Sequence, residues 1–305
     1  MRRTAWIFPG QGSEEPEMGL ALAREDEDAR ALLAEASRAC GIDVARALER
    51  GGRALRRTEI LQPALLAVGL AAARALERRG ARPAFVAGHS LGELTAACFS
   101  AALAPRAALE LAAFRGAAMA QACEGRPGGM VALHADGSAV EDALRGAGAD
   151  VAIAAFNAPG EIVVSGAERG LEALLARFGA RATRLRVSGP WHSPLLRAAI
   201  DPLRARAERA FAGTSLAVPL VSTVTAAPLD ASALPSAIAS GVASPVRFTD
   251  TLALLEARGV TDVVVLAPSR TVRSLVRRTL GTRVRIHGAD VPADLDAIAA
   301  ALRDG

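Results

Sequence analysis

The sequence predicts an α/β protein in which a parallel β-sheet flanked by helices carries a small inserted α+β unit. Three observations predict it. Short apolar runs ending in glycine turns alternate with stretches of helical spacing. One such run, Pro83–Ala87, leads through Gly88-His89-Ser90-Leu91-Gly92 into an apolar helix, the strand–turn–helix of a parallel unit. Residues 128–189 read strand, helix, strand, strand, helix, strand, which is the ferredoxin-like order.

In chain order, Thr4–Phe8 reads as a buried strand that runs into the loop Pro9-Gly10-Gln11-Gly12-Ser13. Ala21–Cys40 and Pro63–Arg79 have helical spacing, and Leu91–Ala102 is the helix after the glycine turn. In the insert, Met130–His134, Val151–Asn157, Ile162–Ser165 and Ala182–Val187 read as strands, and Ser138–Arg145 and Ala167–Phe178 as helices. Gly128-Gly129 and Gly189-Pro190 mark its limits. Beyond it come a helix over Pro194–Phe211, a strand near Leu220–Thr223, a helix over Phe248–Ala257, strands at Val263–Leu266 and Arg283–Gly288, and a last helix over Asp294–Leu302.

A chain of 305 residues, 51% hydrophobic and 22% charged, has the balance of a folded domain with room for a smaller companion. Tyr is absent and only 8 Phe and 2 Trp are present, so Ala, Leu and Val must build the core. All 36 basic residues are Arg, which excludes a catalytic lysine. The net charge of +4 is spread along the chain without basic blocks interleaved with aromatics, so nucleic acid is not an expected partner. An acidic partner or an anionic substrate suits it better. Cys40, Cys98 and Cys123 lack the spacing of metal ligands or of a disulfide framework and are expected to be reduced. The apolar stretch after Met1-Arg2-Arg3 stops at Pro9-Gly10, too short for a signal sequence. The run Pro63–Ala73 is too short to span a bilayer. A cytoplasmic protein that does not enter membranes is expected.

Gly88-x-Ser90-x-Gly92 has the pattern of a nucleophile elbow. There a serine sits in a strained turn, and the flanking glycines let strand and helix pass closely. The following helix N-terminus directs N–H groups at developing negative charge. A serine nucleophile needs a base, and four histidines are available. His89 belongs to the turn and points away from Ser90. His134 and His287 fall in strands and read as structural. His192 lies in a loop at the insert boundary, before Ser193-Pro194 opens a helix, a position suited to a base. Asp201 and Asp250 could orient it, but nothing in the sequence singles either out, and a main-chain carbonyl can do the same.

In order along the chain come Phe8-Pro9-Gly10-Gln11-Gly12-Ser13, Gln62-Pro63-Ala64-Leu65, Gly88-His89-Ser90-Leu91-Gly92-Glu93 and Arg115-Gly116-x-x-Met119. Asn157-Ala158-Pro159-Gly160 with Val164-Ser165-Gly166, His192-Ser193-Pro194-Leu195 and Ser244-Pro245-Val246-Arg247-Phe248 follow. This ordered set covers nearly the whole chain and resembles the malonyl-CoA:acyl-carrier-protein transacylase family. The resemblance implies an α/β-hydrolase-like core, residues 1–127 and 190–305, with a ferredoxin-like insert at 128–189. It implies a ping-pong transfer of malonyl from coenzyme A to the phosphopantetheine thiol of an acyl carrier protein, in fatty-acid or polyketide synthesis. Ser90 would carry the acyl group and His192 would be base and then acid. The N–H groups of Gln11 and Leu91 would form the oxyanion hole. Arg115 would pair with the malonyl carboxylate, for which a planar guanidinium fork is suited. Gln62, Met119, Asn157 and Trp191 would surround the substrate, and the main-chain carbonyl of Gly241 would orient His192. No metal or cofactor is implied, and the enzyme is expected to be a monomer.

The chain also departs from the family pattern. Gly241 and Glu161 stand where Gln is common, and Val265 and Ala267 where Glu and Gly are common. Trp191 is bulkier than usual before the histidine, which should narrow the pocket and favour malonyl over branched extender units. An acyl hydrolase of carrier proteins, a transferase for another extender and a non-catalytic docking relative are the competing readings. Arg115 argues against the hydrolase, and the intact set Ser90, His192 and Arg115 argues against the docking relative.

Overall fold

The structure, a computed structural model, describes residues 2–51, 53–101 and 103–303. Ala102, the expected end of the helix after the glycine turn, lies outside them, as do Met1 and Gly305 at the limits of the expected core. The strands are β1 Thr4–Phe8, β2 Phe85–Gly88, β3 Gly128–Leu133, β4 Val151–Ala158, β5 Glu161–Ala167, β6 Ala182–Arg184, β7 Leu220–Ser222, β8 Ala227–Leu229, β9 Asp262–Leu266 and β10 Arg285–Ala289. One sheet has the order β10-β9-β1-β2-β7-β8 and is parallel except for β8. Its central strands β1 and β9 are buried along their whole length, which is why they read as unbroken apolar runs. The carboxyl ends of β1, β2 and β7 lead into Pro9–Ser13, the Ser90 turn and Thr223. This is the sheet end where parallel α/β folds collect their sites.

The second sheet, β4-β5-β3-β6, is antiparallel. Its alternation feeds two cores. Val131, Leu133, Ile162 and Val164 pack with Val140 and Leu171 of its own helices Gly137–Leu144 and Glu168–Phe178. Met130, Ala132, Ala154 and Val163 belong instead to the main core. A period of two places successive side chains on opposite faces, so one sheet serves both.

Several expected elements differ in detail. The helix over 21–40 is two helices, Leu20–Glu25 and Glu27–Cys40, because Asp26 is extended and caps the second by accepting from Ala29 N at 3.0 Å. The segment after His192 begins as a 3₁₀ turn, Pro194–Ala199, and becomes α-helical only over Ile200–Ala210. The last strand of the second sheet stops at Arg184, short of Val187. His134 lies exposed just past β3 and is not part of the strand. Helices at Val44–Arg50, Pro105–Ala122, Leu234–Ser240 and Arg270–Leu280, and strand β8, have no counterpart among the expected elements. Among the described residues one helix, Thr58–Arg78, is long and apolar enough to cross a membrane, but 89% of its apolar window is buried inside the protein.

At the opposite end of the parallel sheet, where β9 begins, the buried carboxylate of Asp262 accepts from Arg285 at 2.7 Å, from His287 Nε2 at 3.1 Å and from Thr261 at 2.8 Å. Burial pushes its pKa up, but the hydrogen bonds from Arg285, His287 and Thr261 outweigh this and hold it at about 2 against an ordinary 3.8. A depressed carboxyl stabilises the fold above the unfolded value, and that contribution fades as pH falls from 3.8 toward 2. The gap is worth about 2 kcal/mol. Urea midpoints of Asp262→Asn are therefore expected to lie below wild type at neutral pH and to converge on it near pH 2. Parallel curves at all pH values would contradict this.

Candidate active site

Ser90 sits between β2 and the helix Leu91–Ser100 with φ 55° and ψ −112°, a conformation that costs a non-glycine residue roughly 1–3 kcal/mol. Bare backbone contact holds it there. A Cβ on Gly88 would lie 1.9 Å from the Gly92 carbonyl carbon, and one on Gly92 would lie 1.8 Å from the Phe8 oxygen. The loop after β1 presses on the same turn, since a Cβ on Gly10 would meet the His89 oxygen at 2.2 Å and Leu91 N at 3.3 Å. Among the described residues, neither the Gln11 nor the Leu91 amide N–H has a protein acceptor. Gln11 lines the cleft together with Ser90, and Leu91 directly follows Ser90 at the start of its helix.

Ser90 Oγ lies 2.7 Å from His192 Nε2. His192 Nδ1 lies 3.0 Å from the Ser244 carbonyl oxygen. A carbonyl only accepts, so Nδ1 carries the hydrogen, Nε2 is the free lone pair, and Ser90 donates to it. The family resemblance implies Gly241 for this orienting carbonyl; the closer hydrogen bond goes to Ser244, with Gly241 contributing less. Gly241 closes the helix Leu234–Ser240 in helical conformation, φ −57° and ψ −23°, and acts on His192 more weakly. Asp250 is occupied by Arg247 and exposed Asp201 lies by Arg204, so neither carboxylate takes part.

A small recess on one side of the serine is lined by Ser90, Glu93, Leu94, Arg115, His192 and Gly241. Arg115 reaches it from the helix Pro105–Ala122, which crosses Thr58–Arg78 where Gly116 touches it. A Cβ there would lie 2.5 Å from Glu59 Cα. Arg115 Nη1 donates to Gln62 Oε1 at 2.7 Å. Gln62 Nε2 in turn donates to Thr58 Oγ1 at 2.8 Å, Gln11 Oε1 at 3.2 Å and Met119 Sδ at 3.3 Å. Gln62 and Met119 thus stand behind the guanidinium as its supports and line neither cavity. Among the described residues no carboxylate pairs with Arg115. Burial lowers its pKa to about 10, against the opposing charge of Glu93, so it stays protonated at neutral pH.

On the other side a cleft of about 360 Å³ opens between the two sheets, lined by Gln11, His89, Asn157, Glu161, Arg186 and Trp191 among others. Asn157 faces this cleft and not the recess, with its side chain held by His89 and Glu161. Trp191 is buried, its six-membered ring packed where Gly189 has no Cβ, and its indole N–H has no partner among the described residues. His89 donates from Nε2 to Asn157 Oδ1 at 2.8 Å, and His287 serves Asp262, so both are structural as expected.

Glu93 carries no expected role, yet it is a buried carboxylate facing the recess. It accepts from Ser222 Oγ at 2.7 Å, Thr223 N at 2.7 Å and Thr223 Oγ1 at 2.6 Å. Its signal in the sequence was an acid in an otherwise apolar helix.

Burial, and next the Arg115 charge, push the His192 pKa down to about 3 from 6.5, against the hydrogen bond to Ser244. Its imidazole is therefore unprotonated throughout the neutral range, able to accept a proton from Ser90. The pH profile of serine acylation is expected to lack an acid limb near 6.5 and to fall only well below it. Arg115→Ala removes a positive neighbour, so the limb should move upward in that variant. A limb at 6.5 in both proteins would contradict the assignment.

The acyl transferase domain family matches residues 5–292. The chain belongs to that family. It is 33% identical over 288 residues to the malonyl CoA-acyl carrier protein transacylase of Bacillus subtilis, covering 91% of this chain and 90% of that one. The crystal structure of malonyl-CoA:acyl carrier protein transacylase from Xanthomonas oryzae pv. oryzae superposes with a TM-score of 0.91 at 33% identity, over 99% of this chain and 98% of that one. A malonyl-transacylase solved in complex with its type II polyketide acyl-carrier protein superposes at 0.90 with 29% identity, over 99% of this chain and all of that one. As in other acyl transferase domains, an α/β fold frames the site.

Proposed function

We propose that this acyltransferase moves a malonyl group from coenzyme A to the phosphopantetheine thiol of an acyl carrier protein through an ester on Ser90. The observation that carries the reading is the buried, unpaired Arg115 in the recess that begins at the Ser90–His192 pair. A buried cation with no carboxylate in contact is costly, the charge of Glu93 across the recess offsets that only in part, and an arriving anion would complete the pairing. A malonyl thioester brings a carboxylate a short distance from its reacting carbonyl.

In the first half-reaction Ser90 Oγ attacks the thioester carbonyl as His192 Nε2 takes its proton. The Gln11 and Leu91 N–H groups receive the oxyanion. Collapse breaks the carbon–sulfur bond, and the departing thiolate takes the proton from His192. In the second, the pantetheine thiol gives its proton to His192 and attacks the ester, and Ser90 leaves and regains that proton. The malonyl carboxylate neutralises Arg115, which eases the proton onto His192 only while substrate is bound. The cleft between the sheets is the path for the pantetheine arm, and an acidic carrier suits a chain of net charge +4.

The same reading takes the parallel sheet as an α/β-hydrolase-like core, residues 1–127 and 190–305, and residues 128–189 as a ferredoxin-like insert. The order β4-β5-β3-β6 with two helices on one face supports it. Malonyl-CoA added alone should raise the intact mass by one malonyl group, located on the peptide containing Ser90. Added carrier protein should then remove it. No adduct, or an adduct elsewhere, would refute the proposal. Faster turnover of acetyl than of malonyl thioesters to free acid would favour the hydrolase.

A further inference from the structure

A chain of side-chain contacts crosses the cleft and returns. His89, in the Ser90 turn, donates from Nε2 to Asn157 Oδ1 at 2.8 Å. Asn157 Nδ2 lies 3.3 Å from Glu161 Oε1. Glu161 Oε2 pairs with Arg278 Nη1 on the helix Arg270–Leu280. The two middle residues belong to the β4–β5 hairpin, and the two ends belong to elements packed on the parallel sheet. The direction of each contact is forced. A carboxylate only accepts, so Asn157 turns its amide toward Glu161 and its oxygen toward His89, which must therefore carry hydrogen on Nε2. The His89 ring is further fixed by an edge-on contact with Phe248 at 5.2 Å. The Glu161 side chain is 14% exposed against 40% for its partner Arg278. Partial burial lets that pair act more strongly than an exposed one.

We propose that Glu161 is a positioning residue that grips the β4–β5 hairpin between the Ser90 turn and the helix Arg270–Leu280 and so sets the width of the cleft leading to Ser90. The inference rests on the acyl-transfer reading of the site. It assigns Glu161 no part in bond making. Its effect is on how tightly the donor's arm is held and on how well water is kept from the acyl ester.

The test uses the full chain with Glu161→Gln, Arg278→Gln and the double variant. The amide that Glu161→Gln introduces can still accept from Asn157 but cannot form the ion pair. Each single variant should raise KM for malonyl-CoA about two- to tenfold, the range of a part-buried ion pair. Acylation at saturating donor should stay within about twofold, because the Ser90–His192 geometry is untouched. Spontaneous hydrolysis of malonyl-Ser90 should rise severalfold. The double variant should be no worse than either single, and Arg278→Lys should retain the wild-type KM. Unchanged KM and hydrolysis in the single variants, losses that add in the double, or a fall in acylation rate with KM unchanged would each overturn the proposal. Wild type that takes no malonyl on Ser90 would overturn the acyl-transfer reading itself. Wild type that loads normally, with variants that match it, would overturn only the positioning role.

Discussion

Ser90→Ala should abolish covalent loading by malonyl-CoA and lower transfer by roughly four to six orders of magnitude, as removal of a nucleophile or its base does in acyl-transfer enzymes. The loss should be complete and not a migration of the adduct, because neither a lysine nor a thiolate is available to take over and, among the described residues, no other hydroxyl has the His192 Nε2 contact. Lysine is absent from the chain. Burial pushes the Cys98 thiol up, and it raises Cys123 to about 11 and lifts Cys40 as well, so none is a thiolate at neutral pH. His192→Ala should be nearly as severe. It leaves the Ser90 hydroxyl without the acceptor now 2.7 Å away, while the free amides of Gln11 and Leu91 preserve a small residual rate. Intact-protein mass after mixing with malonyl-CoA reads both outcomes, and an adduct that survives Ser90→Ala would sink the assignment.

The second large effect is one of discrimination. Arg115→Ala should lower kcat/KM for malonyl-CoA by roughly 2–5 kcal/mol, about 30- to 4,000-fold, the usual loss when one partner of a buried charge pair is removed. The acetyl donor has no carboxylate, so its kcat/KM should fall little, and the two donors can be compared directly on the same preparation. Gln62 now spends its amide oxygen on Arg115, so truncation also frees a buried acceptor and loosens the Thr58–Gln11 contacts behind it. Arg115→Lys separates the two consequences. It keeps a positive charge but loses the fork, and it should recover only part of the malonyl rate. Equal losses for acetyl and malonyl would show that Arg115 supports the site without reading the substrate.

Much of this was legible in the sequence because the information was local. Buried parallel strands write themselves as apolar runs, and β1 and β9 lie where those runs place them. The Ser90 turn was readable because its glycines are a steric necessity, each Cβ meeting backbone within about 2 Å. What could not be read was set by the meeting of distant segments. Whether Gly241 or Ser244 faces His192 depends on how one loop leaves a short helix, which no spacing encodes. Gln62 and Met119 are near the site in any reading, but only the helix crossing at Gly116 places them behind Arg115. The helix Arg270–Leu280, with Val272, Leu275, Val276 and Leu280 buried, had a readable period that its many arginines obscured.

The two-faced second sheet bears on how this enzyme can adapt to its donors. Met130, Ala132, Ala154 and Val163 are lodged in the main core, and β4 is stitched to the loop bearing Ser244 by backbone bonds between Phe156 and Val246 at 2.9 Å and between Val246 and Ala154 at 2.8 Å. Swinging the whole sheet outward would wet that apolar face and break those bonds, a cost of several kcal/mol on every turnover. Adaptation to a different donor must therefore be acquired one side chain at a time, while the architecture around the cleft stays put.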